Sequence, residues 1–289
     1  MDDVFASAPY GKVERLSSLV RRILARNPSA FTFTGTGTYI VGTGEVAVID
    51  PGPNDPAHIE AITDALAGET IRHIIVTHTH RDHSPAAVPL KAATGAVVVG
   101  CAPLALAEHG PKVEEGFDAT YSPDRILQDG ESVTGADWTL TALHTPGHTS
   151  NHLCFALAEE RALFTGDHVM GWSTTVVTPP DGDMAAYMAS LSKLLDRDET
   201  IYHPTHGEAV TDTHRFVRGL ITHRKQREGQ ILKLLGEGPK PVPTMVAAMY
   251  ANVASILHPA AGRSVLAHLI DLHARGLVAV EAEKWRLAA

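Results

Sequence analysis

The chain has 289 residues, 44% of them hydrophobic and 20% charged, with a formal net charge of −9, enough for one large core and a smaller appendage. No apolar run nears the roughly 18 residues that a membrane span requires, and the N-terminal MDDVFASAPYGKVERL lacks the basic start and apolar core of a secretory signal. A cytoplasmic globular protein that spans no membrane is therefore expected. The only two cysteines, Cys101 in VVVGC and Cys154 in HLCF, lie in apolar runs. They read as small buried hydrophobes, which leaves any metal to nitrogen and oxygen donors.

In chain order, Thr38 to Val41 and Glu45 to Ile49 flank Gly42-Thr43-Gly44 and read as a hairpin. Pro56 to Ala67 has the pattern of a helix, and Ile71 to Val76 that of a strand ending at the densest polar cluster in the chain, His78-Thr79-His80-Arg81-Asp82-His83. Further strands are expected at Ala96 to Val99, Trp138 to Leu143, Leu153 to Leu157 and Ala162 to Phe164. A helix over Met184 to Leu195 would stack Met184, Met188, Leu191 and Leu195 on one face as core packing. Alternation of strands and helices with polar loops predicts an α/β layered domain.

In a strand, residues two apart point the same way, so His78 and His80 can hold one ion, while Asp82 and His83, past the strand end, can turn toward a second. Two ions roughly 3.5 to 4 Å apart can share a hydroxide and clamp an electrophile. Later strands end in similar loops: Thr145-Pro146-Gly147-His148-Thr149, Thr165-Gly166-Asp167-His168 and His203-Pro204-Thr205-His206-Gly207. Glycine beside a ligand permits tight turns and close backbone approach. Any one of these histidines alone would be an ordinary polar residue; together with HTHRDH they point to a metal site.

These residues resemble the metallo-β-lactamase superfamily, whose pattern HxHxDH, then His, then Asp, then His occurs here in order. The resemblance implies an α/β (α+β) fold, an αββα sandwich with the metals at one edge of two sheets. It implies a dinuclear zinc site with His78, His80 and His148 on one ion, Asp82, His83 and His206 on the other, and Asp167 bridging, although iron or manganese suit the same donors. Asp82 and Asp167 are then the catalytic carboxylates, with a metal-bound hydroxide as nucleophile. Asp50, in Ile49-Asp50-Pro51, matches an acidic residue that holds a ligand histidine by hydrogen bond; a turn-forming Asp before Pro is the alternative.

NPSAFTFTGTGTYIVG, IDPGP, THTHRDHSP and the C-terminal extension are similar to the β-lactamase-like protein 2 branch, which joins a glyoxalase II-like core to a winged-helix-like tail. The expected division is 1–210 for the catalytic domain and 211–289 for a long helix plus winged-helix-like domain. Residues 1 to 210 carry 13 Lys+Arg against 27 Asp+Glu, and residues 211 to 289 carry 11 against 6. In the tail, a helix begins near Asp212 or Thr213 and reaches about Leu235. Helices over Pro243 to Ile256 and Gly262 to Ala274 and a β-wing over Gly276 to Leu287 follow. The second of these helices is poor in the Arg, Lys, Asn and Gln that read base edges, which favours packing or homodimerisation of the tail over specific DNA binding.

Asp167 separates this chain from true class B β-lactamases, which carry cysteine or another residue there. The expected activity is hydrolysis of a carbonyl ester, thioester or lactone, with room for weak β-lactam hydrolysis. The rival is a single-strand-specific endoribonuclease or phosphodiesterase using the same site, with RNA as partner. The acidic core disfavours a long polyanion and the basic tail favours one. Substrate contacts are expected from His168, Trp172, Ser173, Thr174 and Thr175, with His168 either an acid or phosphate contact or a structural histidine. Substrate choice is expected to lie in the loops around 104 to 125 and 170 to 183.

Overall fold

The computed structural model describes residues 7–104 and 116–288, and the chain divides into two compact units. The first contains Met1–Thr145, Asn151–Thr175 and Asp198–Thr213; the second contains Pro146–Ser150, Val176–Arg197 and His214–Ala289.

In the first unit, β1 (Val13–Arg15), β2 (Val20–Leu24), β3 (Gly37–Val41), β4 (Glu45–Ile49), β5 (Thr70–Val76), β6 (Val97–Gly100) and β7 (Arg125–Ile126) form one sheet in chain order. β1 to β4 pair antiparallel and β4 to β7 parallel. Parallel neighbours need long crossovers, and two of these carry the helices α1 (Pro56–Ala65) and α2 (Ala87–Thr94). α1 starts where Asp55 caps it, accepting from the Ala57 amide at 3.0 Å with Pro56 at the first helical position, an arrangement that suits proline's missing N–H.

The second sheet runs β12-β11-β10-β9-β8, built from β8 (Ser132–Thr134), β9 (Thr139–His144), β10 (Leu153–Leu157), β11 (Ala162–Gly166) and β12 (Ile201–Pro204). Ile40, Val48, Ile74 and Val99 of the first sheet share one hydrophobic cluster with Leu140, Phe155 and Phe164 of the second, so the sheets face each other across a common core. β3, β10 and β11 are buried at every residue, which explains why they read as continuous apolar runs rather than alternating ones.

Apolar patterning does not foretell β1 and β2, because Arg21 and Arg22 interrupt the run. Tertiary pairing overrides that signal. Arg21, 9% exposed, donates to both carboxylate oxygens of Glu69 at 2.6 and 3.0 Å and to the Gly42 carbonyl at 3.1 Å.

The second unit contains α3 (Met184–Leu195), α4 (Thr213–Gly236), α5 (Val242–Met249), α6 (His258–Ala274) and the hairpin β13 (Val278–Glu281) with β14 (Lys284–Leu287). α4 begins at Thr213, in the first unit. Ile231, Leu235, Met245, Leu269, Leu272 and Trp285 form the core of this winged-helix arrangement. The hairpin turns at Ala282 and Glu283, both with positive φ (47° and 63°), as a two-residue turn matching strand twist requires.

Three expectations for this unit need correction. The buried stripe of α3 is Met184, Tyr187, Ser190, Leu191 and Leu194, whereas Met188 and Leu195 are only partly covered, because at 3.6 residues per turn the buried face centres on Tyr187 and Leu194 and leaves Met188 and Leu195 at its margin. The helix expected to reach Ile256 ends at Met249, with a separate 3₁₀ turn at Ser255–Leu257. α6 begins at His258 rather than Gly262, with Pro259 in its first turn, where proline's fixed φ favours initiation. Among the described residues no helix is long and apolar enough to cross a membrane.

Candidate metal centre

Every residue of the HTHRDH motif is set by how β5 ends. Asp50 leaves β4 in the left-handed region (φ 47°), and its carboxylate turns back to accept from the Thr77 amide at 2.9 Å and the Thr77 hydroxyl at 2.8 Å. The chain therefore bends after Val76, and residues 78–84 leave the sheet edge in a compact turn held by His83 N–H donating to His80 O at 3.0 Å. His78, His80 and His83 are buried, and Asp82 is partly exposed.

From the second sheet, Asp167 follows β11 and His206 follows β12. His83 Nε2 lies 3.2 Å from Asp82 Oδ2 and 3.5 Å from Asp167 Oδ1, and His206 Nε2 lies 3.1 and 3.4 Å from the same two oxygens. Two groups, His78 with His83 and Asp167, and Asp82 with His83 and His206, each bring one donor atom per residue within 4.8 Å of the others. His78 Nε2 is 2.9 Å from His80 Nδ1. His148 belongs to the second unit, where its Nδ1–H donates to Val176 O at 2.6 Å.

The donor set fits a divalent cation by three observations. First, the rings are oriented from behind: His83 Nδ1–H donates to Asp50 Oδ2 at 2.9 Å and His206 Nδ1–H to Gly35 O at 3.0 Å. Each Nε2 thus turns toward the carboxylates, the arrangement metal-binding histidines use. Second, His83 Nε2 is buried and makes no well-aligned hydrogen bond. Third, burial would raise both carboxyl groups, yet Asp82 is held well below the usual carboxylate range by His83 and His206, and Asp167 by His206 and His83. Burial would lower the histidines, yet Asp167 and Asp82 push His206 up to about 10, and Asp82, Asp167 and Asp50 push His83 up as well. A buried and a partly exposed carboxylate draw positive charge into one spot, and a divalent cation meets that demand.

Supporting residues that sequence reasoning missed lie immediately behind the donors. Thr36 donates to Asp82 Oδ2 at 3.2 Å, and Asn27 fixes Thr36 by two side-chain bonds of 2.9 Å. Thr205 donates to Asp50 Oδ2 at 3.1 Å. His152, which matches no ligand position, accepts the Asp167 amide at its Nε2 (3.2 Å), so its Nδ1–H donates to Thr145 Oγ1 at 2.9 Å. A threonine or a flanking histidine carries no periodic signal; only the folded distances reveal these roles.

Asp50, the residue from which a hydrogen bond to a histidine is expected, accepts from His83 Nδ1–H at 2.9 Å. Cys101 and Cys154 are both free and buried. Burial pushes the Cys101 thiol well above its usual range, which removes it from chemistry near neutrality. His168 is fully buried, and Thr175, 2% exposed, donates its hydroxyl to the His168 carbonyl at 3.0 Å. Ser173 and Thr174 are half-buried, and Trp172 is 37% exposed. Arg81, exposed, donates to Phe117 O at 3.2 Å. Of the stretch 104 to 125, residues 105–115 lie outside the described residues.

The second unit holds its own loops by side-chain bonds. Ser190 donates to Pro146 O at 2.8 Å, and Ser150 binds both oxygens of Asp181 at 2.9 and 2.6 Å. Gly147 (φ 141°) passes so close to α3 that a Cβ would meet Tyr187 Cα at 2.3 Å, which explains the glycine before His148.

Comparison with known proteins matches residues 32–206 to the metallo-beta-lactamase superfamily and residues 242–285 to the beta-lactamase associated winged helix domain. The chain is 33% identical over 264 residues to lactamase-like protein notP of Aspergillus sp. (strain MF297-2), covering 83% of this chain and 75% of that one. It is 31% identical over 262 residues to atrochrysone carboxyl ACP thioesterase dmxR1 of Cryptosporiopsis sp. (strain 8999), covering 84% and 76%. Among solved structures, a beta-lactamase domain protein from Burkholderia ambifaria shares the fold with a TM-score of 0.82 at 21% identity, over 98% of this chain and 96% of that one. A metallo-beta-lactamase family protein from Thermus thermophilus shares it with a TM-score of 0.76 at 22% identity, over 94% and 100%.

Proposed function

The chain belongs to the metallo-β-lactamase superfamily and is a hydrolase of it, and from that premise we propose that it cleaves acyl thioesters at a dinuclear zinc site. One observation carries the reading: the Nε2 atoms of His83 and His206 each lie within 3.5 Å of carboxylate oxygens of both Asp82 and Asp167. The naming of two relatives as acyl carrier protein thioesterases supports a thioester over other carbonyl substrates.

In this reading the superfamily pattern assigns His78, His80 and His148 to one ion, Asp82, His83 and His206 to the other, and Asp167 to both. When bound, two such ions supply Lewis-acid activation of a water and of the substrate carbonyl. The residues of the chain do the rest. Asp50 and the Gly35 carbonyl hold the rings of His83 and His206 so that their Nε2 atoms face the reaction space. His152, through the Asp167 amide, holds the backbone from which the Asp167 carboxylate projects. Asp82 is the most exposed of the four converging donors. The proposed division leaves catalysis to residues 1–210 and makes 211–289 an accessory long helix and winged-helix domain.

The test is a chelator-treated protein reloaded with zinc, iron(II) or manganese(II) and assayed against acyl thioesters, with single-stranded RNA as a control substrate. Metal-restored thioester hydrolysis is expected, lost in His83→Ala and Asp167→Ala by at least about 100-fold while circular dichroism stays native. Unimpaired turnover in both variants would overturn the mechanism, and metal-restored RNA cleavage without thioester turnover would overturn the substrate class.

A further inference from the structure

Beside His206, two aromatic side chains far apart in sequence lie face to face. Phe33 and Trp172 stack with ring centroids 5.0 Å apart and planes 13° from parallel. Both are placed by the same ligand residue. Gly171 N–H donates to His206 O at 2.9 Å, and Gly171 and Gly207 pair as an isolated bridge, which sets Trp172 Cα within about 9 Å of His206 Cα. On the other side, the Gly35 carbonyl that orients the His206 ring is two residues from Phe33.

The platform is built into the backbone. Phe33 sits in the left-handed region at φ 54°, which bulky residues rarely occupy and which clusters at functional sites. A dense set of local bonds holds it there: Ser29 N–H donates to Phe33 O at 3.3 Å, Gly35 N–H to Thr32 O at 2.9 Å, and the Thr32 hydroxyl to Asn27 O at 2.6 Å. The crossing that carries Trp172 is equally constrained, because a Cβ on Gly171 would meet Glu208 O at 1.9 Å and one on Gly207 would meet Gly171 C at 2.7 Å. With Phe33 covering one side of its indole, Trp172 is still 37% exposed, whereas Trp138 and Trp285 are 2% and 8% exposed.

From this juxtaposition we infer that Phe33 and Trp172 form the acyl-recognition subsite of the enzyme, and that they select thioesters of planar aryl acids over those of short alkyl acids. The inference rests on the thioesterase reading for its reaction, and on the stack alone for its ligand. A planar acyl group extends an existing stack in the offset geometry that aromatic rings prefer, whereas an alkyl group gains only buried area.

The experiment compares wild type, Trp172→Leu, Phe33→Leu and the conservative Trp172→Phe. The substrates are S-(2-naphthoyl)- and S-butanoyl-N-acetylcysteamine, and the probe is the non-hydrolysable S-(2-naphthylmethyl) thioether. Calorimetry measures thioether binding to chelator-treated and metal-loaded protein. In both leucine variants Kd for the thioether and KM for the naphthoyl substrate are expected to rise about tenfold, and KM for the butanoyl substrate to rise by less than about threefold. Trp172→Phe is expected to restore most of the loss. Equal effects on both substrates, or no effect on thioether binding in variants with native circular dichroism, would overturn the subsite. Thioether binding that is sensitive to Trp172, with no hydrolysis of either thioester by wild type, would leave the subsite standing and defeat the thioesterase reading.

Discussion

Asp50→Asn tests how much of the candidate metal centre depends on a residue outside the converging donors. The Asp50 carboxylate is fully buried and accepts four hydrogen bonds: Thr77 N–H at 2.9 Å on Oδ1, and the Thr77 hydroxyl, His83 Nδ1–H and the Thr205 hydroxyl at 2.8, 2.9 and 3.1 Å on Oδ2. Asparagine keeps the shape and tolerates the same left-handed backbone, so the backbone does not confound the result. Its amide nitrogen, however, must face a donor. The least costly placement puts NH₂ against Thr77 N–H, leaving one buried amide unsatisfied at about 1 to 3 kcal/mol and removing charge assistance from the other bonds. A destabilisation of about 3 kcal/mol follows, together with a 10- to 100-fold loss of affinity at the ion His83 would hold, since such supporting carboxylates typically contribute that much. Urea unfolding of the chelated protein measures the first, and competition with a chelator of known affinity the second. Asp50→Asn with wild-type stability and wild-type metal affinity would refute the assigned role.

Two further outcomes are expected, both visible as pH-dependent stability. The Arg21 hydrogen bonds hold the Glu69 carboxyl below its usual range, so their contribution is present above the unfolded carboxylate value of about 4.3 and lost as pH falls through the lower folded value. Arg21→Met should cost about 2 kcal/mol near neutral pH and flatten the acid limb of the melting curve; an unchanged limb would mean that Glu69 gains nothing from its partner. In the winged-helix unit, burial and then the neighbouring Arg224, His223, Arg275 and Arg227 lower His268 to about 3. Between about pH 6.5 and 3 the unfolded chain takes a proton there that the native state refuses, so stability falls as pH falls across that window. His268→Leu should recover on the order of 2 to 3 kcal/mol at pH 4 relative to its effect at pH 7, and thermal melts at the two pH values that shift equally would contradict it.

The sequence by itself determined what is local and periodic. The hairpin around Gly42-Thr43-Gly44, the strands at Leu153–Leu157 and Ala162–Gly166 and the helix at Met184–Leu195 follow from apolar runs, turn residues and spacing, and the wing at the C-terminus from the family resemblance. The HTHRDH cluster was legible for the same reason, since alternation along a strand aligns His78 with His80 before any fold is known. Tertiary structure decided whatever depends on distances between segments. The strand Val20–Leu24 exists because Glu69 satisfies Arg21 from 48 positions away. Asp50 and Gly35 orient His83 and His206 across 33 and 171 residues, and His152 meets the Asp167 amide only once β10 and β11 pair. Phe33 and Trp172 belong to loops with no shared pattern and become one surface because glycines at 171 and 207 let two backbones cross. Side-chain type and period are written along the chain, but hydrogen bonds and stacking depend on separations of a few ångströms that only folding between distant segments sets.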